Sequence, residues 1–394
     1  MPRDTTLLLQ LTQLPTAAGK EQRVIKFIKG WAAARPVTLT ESPAGNLHIT
    51  MKNRAASGAA SADNRPIYFT AHLDHPAFVV ERIVAPGILQ LSFRGGVMED
   101  YFKEAKVAVF DAHDARHAAR LTGKVDNAPA PFPHYLAELA ADTDASSIAL
   151  GDVAVWDLPR ADIIDGILHT NACDDLAALA AALDAFDILL TKLATTPTAD
   201  VRLLFTRAEE IGFIGAIAAC REELMPKNSR VIALENSRSF ADSPIGGGPI
   251  VRVGDRLSIF SPSLTDAIAK RAEELAGAAQ PTASQKLSAA PAWKWQRKLM
   301  AGGACEASVF CSAGYEATCL CLPLGNYHNM ADLEAVQAGK NTTPPIVGRE
   351  YISVDDYFGL VDLLVACGER LPAISPMADR IEKLWNERKF VLTA

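Results

Sequence analysis

The 394-residue chain is long enough for two domains at about 150 residues each, or for one large fold with an insertion. Apolar residues make up 49% and charged residues 22%, close to the soluble globular average, which excludes disordered, collagen-like and coiled-coil chains. The net charge of −7, from 39 basic and 46 acidic residues, gives no electrostatic footprint for nucleic acid or an anionic membrane.

Residues 5 to 34 read as two helices separated at LPTAAGKE, because Pro15 and Gly19 stop one run and Val24, Phe27, Ile28 and Trp31 restart a helical repeat. The first leucine run is interrupted by Asp4, Gln10 and Gln13, which argues against a secretion signal. A hairpin follows, with strands VTLTES and NLHITMK turning at Pro43 to Gly45. Residues 53 to 65 are small and polar and read as a flexible loop. Ile67 to Asp74 is then a buried strand with a polar end. From 76 to 164 the texture changes: the runs FVVERIV, ILQLSF, AKVAVFD and DVAVWDL, with APAPFPH between them, predict a small β-barrel or sandwich.

Beyond it, a helix over 175–194, the strand VRLLFT, a helix over 213–223, the strand RVIALE, a helix over 263–278, a strand near CLCLPL and a helix over 354–367 alternate as in an α/β sheet. The predicted architecture is one α/β domain, residues 1–75 and 165–394, interrupted by a β-rich insertion, residues 76–164. The apolar stretch from Leu176 to Leu190 carries Asp184 and Asp187, so it lacks the roughly eighteen uncharged residues of a membrane span. Seven cysteines with no CxxC pair fit reduced thiols and a cytoplasmic location.

Acidic residues and histidines gather at predicted strand ends, where open α/β sheets bind ligands. In AHLDHP, His72 and Asp74 lie two apart and point to one side, and Asp74 can hold the second ring nitrogen of a metal-bound His72. In NACDDLAAL, helix capping accounts for one aspartate and the helix dipole for the other, yet a carboxylate there can also bridge two ions. In FTRAEEIGFIGA, Glu209 and Glu210 point in different directions, so one can bind metal while the other reaches a water. Glu235 closes RVIALE, and His328 follows CLCLPL. Five ligands and a base without cysteine suit a catalytic site for zinc, cobalt or manganese.

The order and contexts of these motifs resemble the co-catalytic di-metal peptidases of the aminopeptidase α/β fold, and within them the glutamyl-aminopeptidase group that includes the tetrahedral TET aminopeptidases. The spacing of 102 residues between His72 and Asp174 is similar to that group's, which carries its barrel there, and the 93 residues from Glu235 to His328 leave little room for the lid domain of carboxypeptidase relatives. LTQLPTAAGKE, GNLHI, RGGV, TGKV and ALGD stand where the family has similar phrases.

The resemblance implies that His72 and Glu235 bind one metal, Glu210 and His328 the other, and that Asp174 bridges them. It further implies Glu209 as general base, Asp74 orienting His72, a metal-bridging water and a homo-oligomer using the insertion for assembly or substrate access. The expected activity is removal of N-terminal residues from peptides. The alternatives are a carboxypeptidase or N-acyl amino acid deacylase, holding a substrate carboxylate with Arg238 or Arg297, and a catalytically silent scaffold.

The chain departs from the family at several points. It has Glu235 for the usual Asp, His75 and Pro76 after Asp74, Leu176 for a basic residue, and Glu306 in GGACEA where Gly-Gly-Thr-Asp is usual. No Ser-Pro follows His328, and residues 331 to 350 form a longer, Pro-rich stretch. Of the remaining features, Trp293 to Lys298 reads as a partly buried surface strand, Gly246 to Pro249 as a turn, and His113 and His117 as a solvated face with helical spacing.

Overall fold

A computed structural model describes residues 3–52, 65–141, 143, 145–193, 198–277, 293–372 and 376–392; the loop expected over 53–65 lies outside these apart from Arg65. The chain opens with α1 (Thr6–Leu11) and α2 (Gln22–Ala33). Helix α2 buries Val24, Ile25, Ile28 and Trp31 along one stripe, as its 3.6-residue repeat requires. The hairpin is β1 (Val37–Glu41) and β2 (Leu47–Met51), and β3 (Ile67–His72) is buried throughout because helices cover both faces of the sheet there.

Six strands then close into a barrel: β4 (Ala77–Ala85), β5 (Ile88–Arg94), β6 (Lys106–Phe110), β7 (Arg116–Lys124), β8 (His134–Leu139) and β9 (Val153–Trp156), in the order β4-β5-β8-β7-β6-β9. Its core is aromatic. Phe78 and Phe93 meet edge to face at 4.8 Å, and Phe102 stacks on Tyr135 at 4.3 Å, so a few large rings fill a narrow interior. Strands β7 and β8 were not apparent in the sequence, because β7 mixes cations with its apolar positions and β8 directly follows the proline-rich run. The helical spacing read at His113 and His117 is corrected: His113 lies in the β6–β7 turn and His117 on β7, 3.1 Å from Asp111 Oδ2.

The chain continues through β10 (Asp162–Ile164), β11 (Ile167–Thr170), α3 (Leu176–Leu193), β12 (Val201–Thr206), α4 (Ile214–Arg221), β13 (Arg230–Arg238) and β14 (Ile250–Asp255). It goes on through α5 (Pro262–Ala276), β15 (Gln296–Met300), α6 (Glu306–Ser312), β16 (Glu316–Leu324) and α7 (Leu333–Gln337) to β17 (Glu350–Ser353), α8 (Val354–Glu369) and α9 (Pro376–Arg388). Eight strands form a mixed sheet in the order β1-β2-β12-β3-β13-β16-β14-β15, while β10, β11 and β17 make a small antiparallel sheet. Among the described residues, no helix is long and apolar enough to cross a membrane.

Local chemistry sets the boundaries. Ser261 caps α5 by accepting from Leu264 N, Pro262 opens its first turn, and Gly277 ends it at φ +72°. Helix α3 is rich in alanine and buries most of its length, which lets it lie close over β3 and beside α8. Strand β15 is the sheet's outer edge and alternates in exposure, in agreement with the surface-strand reading. The Gly246–Pro249 segment is a turn whose Gly246 and Gly248 N–H groups donate to Asp356.

Candidate metal centre

Strands β12, β3, β13 and β16 are mutually parallel, so their carboxyl ends share one edge of the sheet. Thr206 pairs with His72 across β12 and β3, and Ala233 pairs with Thr70 across β13 and β3, which brings Glu235 level with His72. Glu209 and Glu210 sit in the turn after β12, His328 in the turn after β16, and Asp174 just before α3. All seven residues singled out in the sequence meet at this edge.

The carboxylate of Asp174 stands between the two histidines. His72 Nε2 is 3.4 Å from Asp174 Oδ1, and His328 Nε2 is 3.5 Å from Asp174 Oδ2. Glu210 Oε1 is 3.4 Å from His328 Nε2, and Glu209 Oε2 is 3.9 Å from His72 Nε2. Two groups, His72–Asp174–Glu235 and Asp174–Glu210–His328, each hold their ligand atoms within 4.8 Å of one another and share Asp174. A third grouping, His72–Glu209–Glu210, crosses between them.

The donors fit divalent cations. Ligands about 2.1 Å from a tetrahedral ion lie about 3.4 Å from one another, close to the separations here. Asp174 Oδ1, on the His72 side, and Glu210 Oε1, on the His328 side, are buried and accept no aligned hydrogen bond, so each group holds an oxygen that a cation would satisfy. Oxygen and imidazole donors without thiolate suit zinc, cobalt or manganese.

The electrostatics point the same way. Burial alone would depress His72, yet the field of Glu209, Asp174 and Asp74 raises it well above the ordinary histidine range. His328 likewise rises to about 9 against burial, chiefly through Glu210 and Asp174. Burial pushes Glu210 up to about 7, and pushes Glu209 and Glu235 well up, with neighbouring acids adding to it. Asp174 moves down despite its burial because both histidines face it. Such crowded negative charge is what added cations would neutralise.

A layer of carboxylates holds the turns. Asp74 accepts from Glu209 N at 2.9 Å and from Glu210 N at 3.1 Å. Its carboxylate is 3.5 Å from His72 Nδ1, and its backbone oxygen is nearer, at 3.1 Å. Glu21 accepts from Ala208 N and Arg207 Nε and so supports the same turn, where Ala208 has φ 53°. Asp175 accepts from His72 N, and Glu306 accepts from Thr206 Oγ1 beneath the site. Glu350 accepts from three backbone N–H groups of the site's loops. His75 is buried between Asp174 O and Asn329 Oδ1, and burial lowers it to about 4. In sequence Asp74 reads only as a group that orients His72, and nothing there gives any of these carboxylates the task of holding the turns: they lie in ordinary local contexts, and only the fold brings them here.

Beside Glu235 is a cavity of about 180 Å³, with Arg238, Phe240, Arg252, Met300, Tyr327 and Met330 in its wall. Leu333 and Gln337, from the stretch that follows His328, close one side. Arg252 is buried, with one nitrogen on Ser237 Oγ and Nε unpartnered. Arg297 lies on the edge strand β15 and Glu306 behind His72, and neither is among the residues lining the cavity.

This fold recurs in solved aminopeptidases. The chain superposes on an aminopeptidase from Desulfurococcus kamchatkensis with a TM-score of 0.69 at 18% identity, covering 95% of this chain and 96% of that one. The TET1 peptidase of Pyrococcus horikoshii gives 0.69 at 20% identity, with 92% and 98% covered. A TET aminopeptidase from a marine sediment thaumarchaeon gives 0.70 at 17% identity, with 93% and 97% covered. No curated protein sequence matches the chain. The model of the M42 glutamyl aminopeptidase family matches residues 53–342, most of the chain and the whole span of the candidate ligand set. With that match, and with the barrel-bearing α/β fold, the chain belongs to the M42 glutamyl aminopeptidase family and is a metal-dependent peptide hydrolase.

Proposed function

We propose that this chain is a di-metal aminopeptidase that removes N-terminal residues from peptides, and the observation that carries the reading is Asp174 lying between two histidine–carboxylate pairs, one of which, through Glu235, borders a cavity. His72 and Glu235 would hold one divalent cation, Glu210 and His328 the other, and Asp174 both. Zinc is the first choice, with cobalt or manganese as alternatives. When bound, the cations supply Lewis-acid polarisation of the scissile carbonyl and a more acidic water.

The chain's own residues do the rest. Glu209 takes the proton from the attacking water and returns it to the leaving amine. Asp74 fixes the backbone of Glu209 and Glu210, which keeps base and ligand in a constant relation. The cavity receives the first side chain, and the guanidinium groups of Arg238 and Arg252 in its wall favour an acidic one. The substrate's free amino group would lie among the carboxylates at the cavity mouth.

One solved TET1 form is a dodecamer, and the Pyrococcus horikoshii TET1 peptidase can assemble into a tetrahedron or a large octahedral shell. By analogy we assign this chain a homo-oligomer, with the β-rich insertion over 76–164 contributing to assembly or substrate access, in the cytoplasm.

A panel of aminoacyl-arylamides, N-acyl amino acids and free peptides, assayed before and after chelation, tests the reading. Hydrolysis of glutamyl and aspartyl arylamides that chelator abolishes and zinc restores is expected. Activity confined to N-acyl amino acids would assign the deacylase or carboxypeptidase alternative instead. Purified protein with less than one ion per chain and no turnover would assign a silent scaffold.

A further inference from the structure

Glu350 opens β17, is fully buried, and takes no part in the ligand set. Its Oε2 accepts from Cys173 N at 2.7 Å and from Asp174 N at 3.0 Å, and its Oε1 accepts from His328 N at 2.8 Å. One side chain therefore spans two loops that are distant in sequence, and each loop carries a candidate ligand. With three N–H donors around two oxygens, both oxygens act as acceptors, a task that a side-chain amide can fill with only one of its two ends.

The His328 loop needs such a hold. His328 has φ 53° and ψ 37°, and its neighbours Asn326 and Asn329 also have positive φ. A left-handed backbone is disfavoured for a non-glycine residue, so this turn keeps its shape only if something outside it restrains the backbone. Gly96 O restrains the far side of the ring, at 2.6 Å from Nδ1, and Glu350 restrains the main chain. On the opposite flank Asp74 does the equivalent for Glu209 and Glu210.

We propose that Glu350 is a positioning residue for the second cation, fixing Asp174 relative to His328 so that both reach the same ion. This rests on the di-metal reading above. Glu350 bonds the main chain of both loops, whereas the hydrogen bonds of His75 and Asn329 tie the Asp174 loop to the turn beside His328 rather than to His328 itself. Loss of the clamp therefore falls mainly on the Asp174–Glu210–His328 group, while His72 and Glu235 keep their strand-held positions.

The test is zinc binding to the metal-stripped full chain by titration calorimetry, with zinc per chain counted by elemental analysis. Wild type, Glu350→Gln and Glu350→Asp are compared, and far-ultraviolet circular dichroism reports the fold. In Glu350→Gln an amide NH₂ faces a backbone N–H, and in Glu350→Asp the shorter side chain spans only one loop. Both variants are expected to weaken the second ion about 10–100-fold while the first stays within about threefold, the scale of losing a group that orients a metal ligand. Two ions bound at wild-type affinity, equal weakening of both ions, or failure of both variants to fold would overturn the proposal. Wild type binding fewer than two ions would instead defeat the di-metal reading itself.

Discussion

The α/β region and the barrel are packed from different side chains and bring different things to the site. Around the central sheet, alanine- and leucine-rich helices lie close on buried strands, and every candidate ligand comes from a strand of that layer, the turn after one, or the start of a helix. The barrel is packed by aromatic rings around Phe93; among the described residues its hydrogen bond to a candidate ligand comes from a backbone oxygen, Gly96 O, against His328, and Tyr101 packs on Met330 and Leu333 of the cavity wall. Ligand geometry thus belongs to the α/β region. The barrel, with a core of its own, can support the rim of the site without sharing its chemistry.

That division can be tested hardest at the base. Glu209→Gln keeps the side chain's length and the backbone bond to Asp74 but removes the proton acceptor, so turnover should fall at least about 10²-fold while zinc per chain is unchanged. Steady-state kinetics beside elemental analysis decide it; retained turnover would remove Glu209 from the mechanism. The next largest effect should come from the barrel. Phe93→Ala leaves a hole among Phe78, Phe102 and Trp156 and should cost about 3–5 kcal/mol in denaturant unfolding. If the two regions differ as described, the folded variant still binds two zinc ions with near wild-type affinity. A loss of zinc that tracks the loss of stability would show that the two cores act as one.

The sequence reveals the site more fully than it reveals what supports the site. Residues such as His72, Glu209 and Glu235 are legible because an apolar run that stops at a histidine or acid is a local pattern, and parallel strands bring such positions together. Glu235 does not close its strand as the apolar run suggests: β13 continues to Arg238, because Asn236 to Arg238 go on pairing with β16. The α/β elements were legible for a similar reason: long apolar runs and caps are local. Glu350 was not legible. It follows a proline-rich stretch with no apolar period, and its role exists only because β17 pairs with β11, which places it under Cys173 and Asp174. Strands β7 and β14 were likewise unread, since their polar or charged positions hide the alternation until neighbouring strands supply the burial.

The smallest effect separates the regions by the sign of their pH dependence. Asp184, on α3, accepts a hydrogen bond from Tyr357 of α8, and burial pushes its carboxyl up to about 6, with Asp187 and Asp4 adding to the shift and Arg35 opposing it. An acid whose folded value lies above its unfolded value of about 3.9 makes its contribution at low pH and loses it as pH rises through about 6. In the barrel, Asp111 shifts the other way. Hydrogen bonds from Ser147 and His117, and then from the backbone of Ala115 and His113, hold its carboxyl low, so its contribution is present at neutral pH and fades only in acid. Asp184→Asn keeps an acceptor for Tyr357 and removes the buried charge. Relative to wild type it should gain on the order of 1 kcal/mol above pH 6 and nothing below pH 4, measured as the difference in denaturant unfolding free energy at each pH. Asp111→Asn should instead lose stability at neutral pH, with the deficit shrinking toward acid. Parallel pH profiles for the two variants would mean that burial and hydrogen bonding do not divide the regions in this way, and a flat profile for Asp184→Asn would show that this carboxyl is not held neutral by its place between α3 and α8.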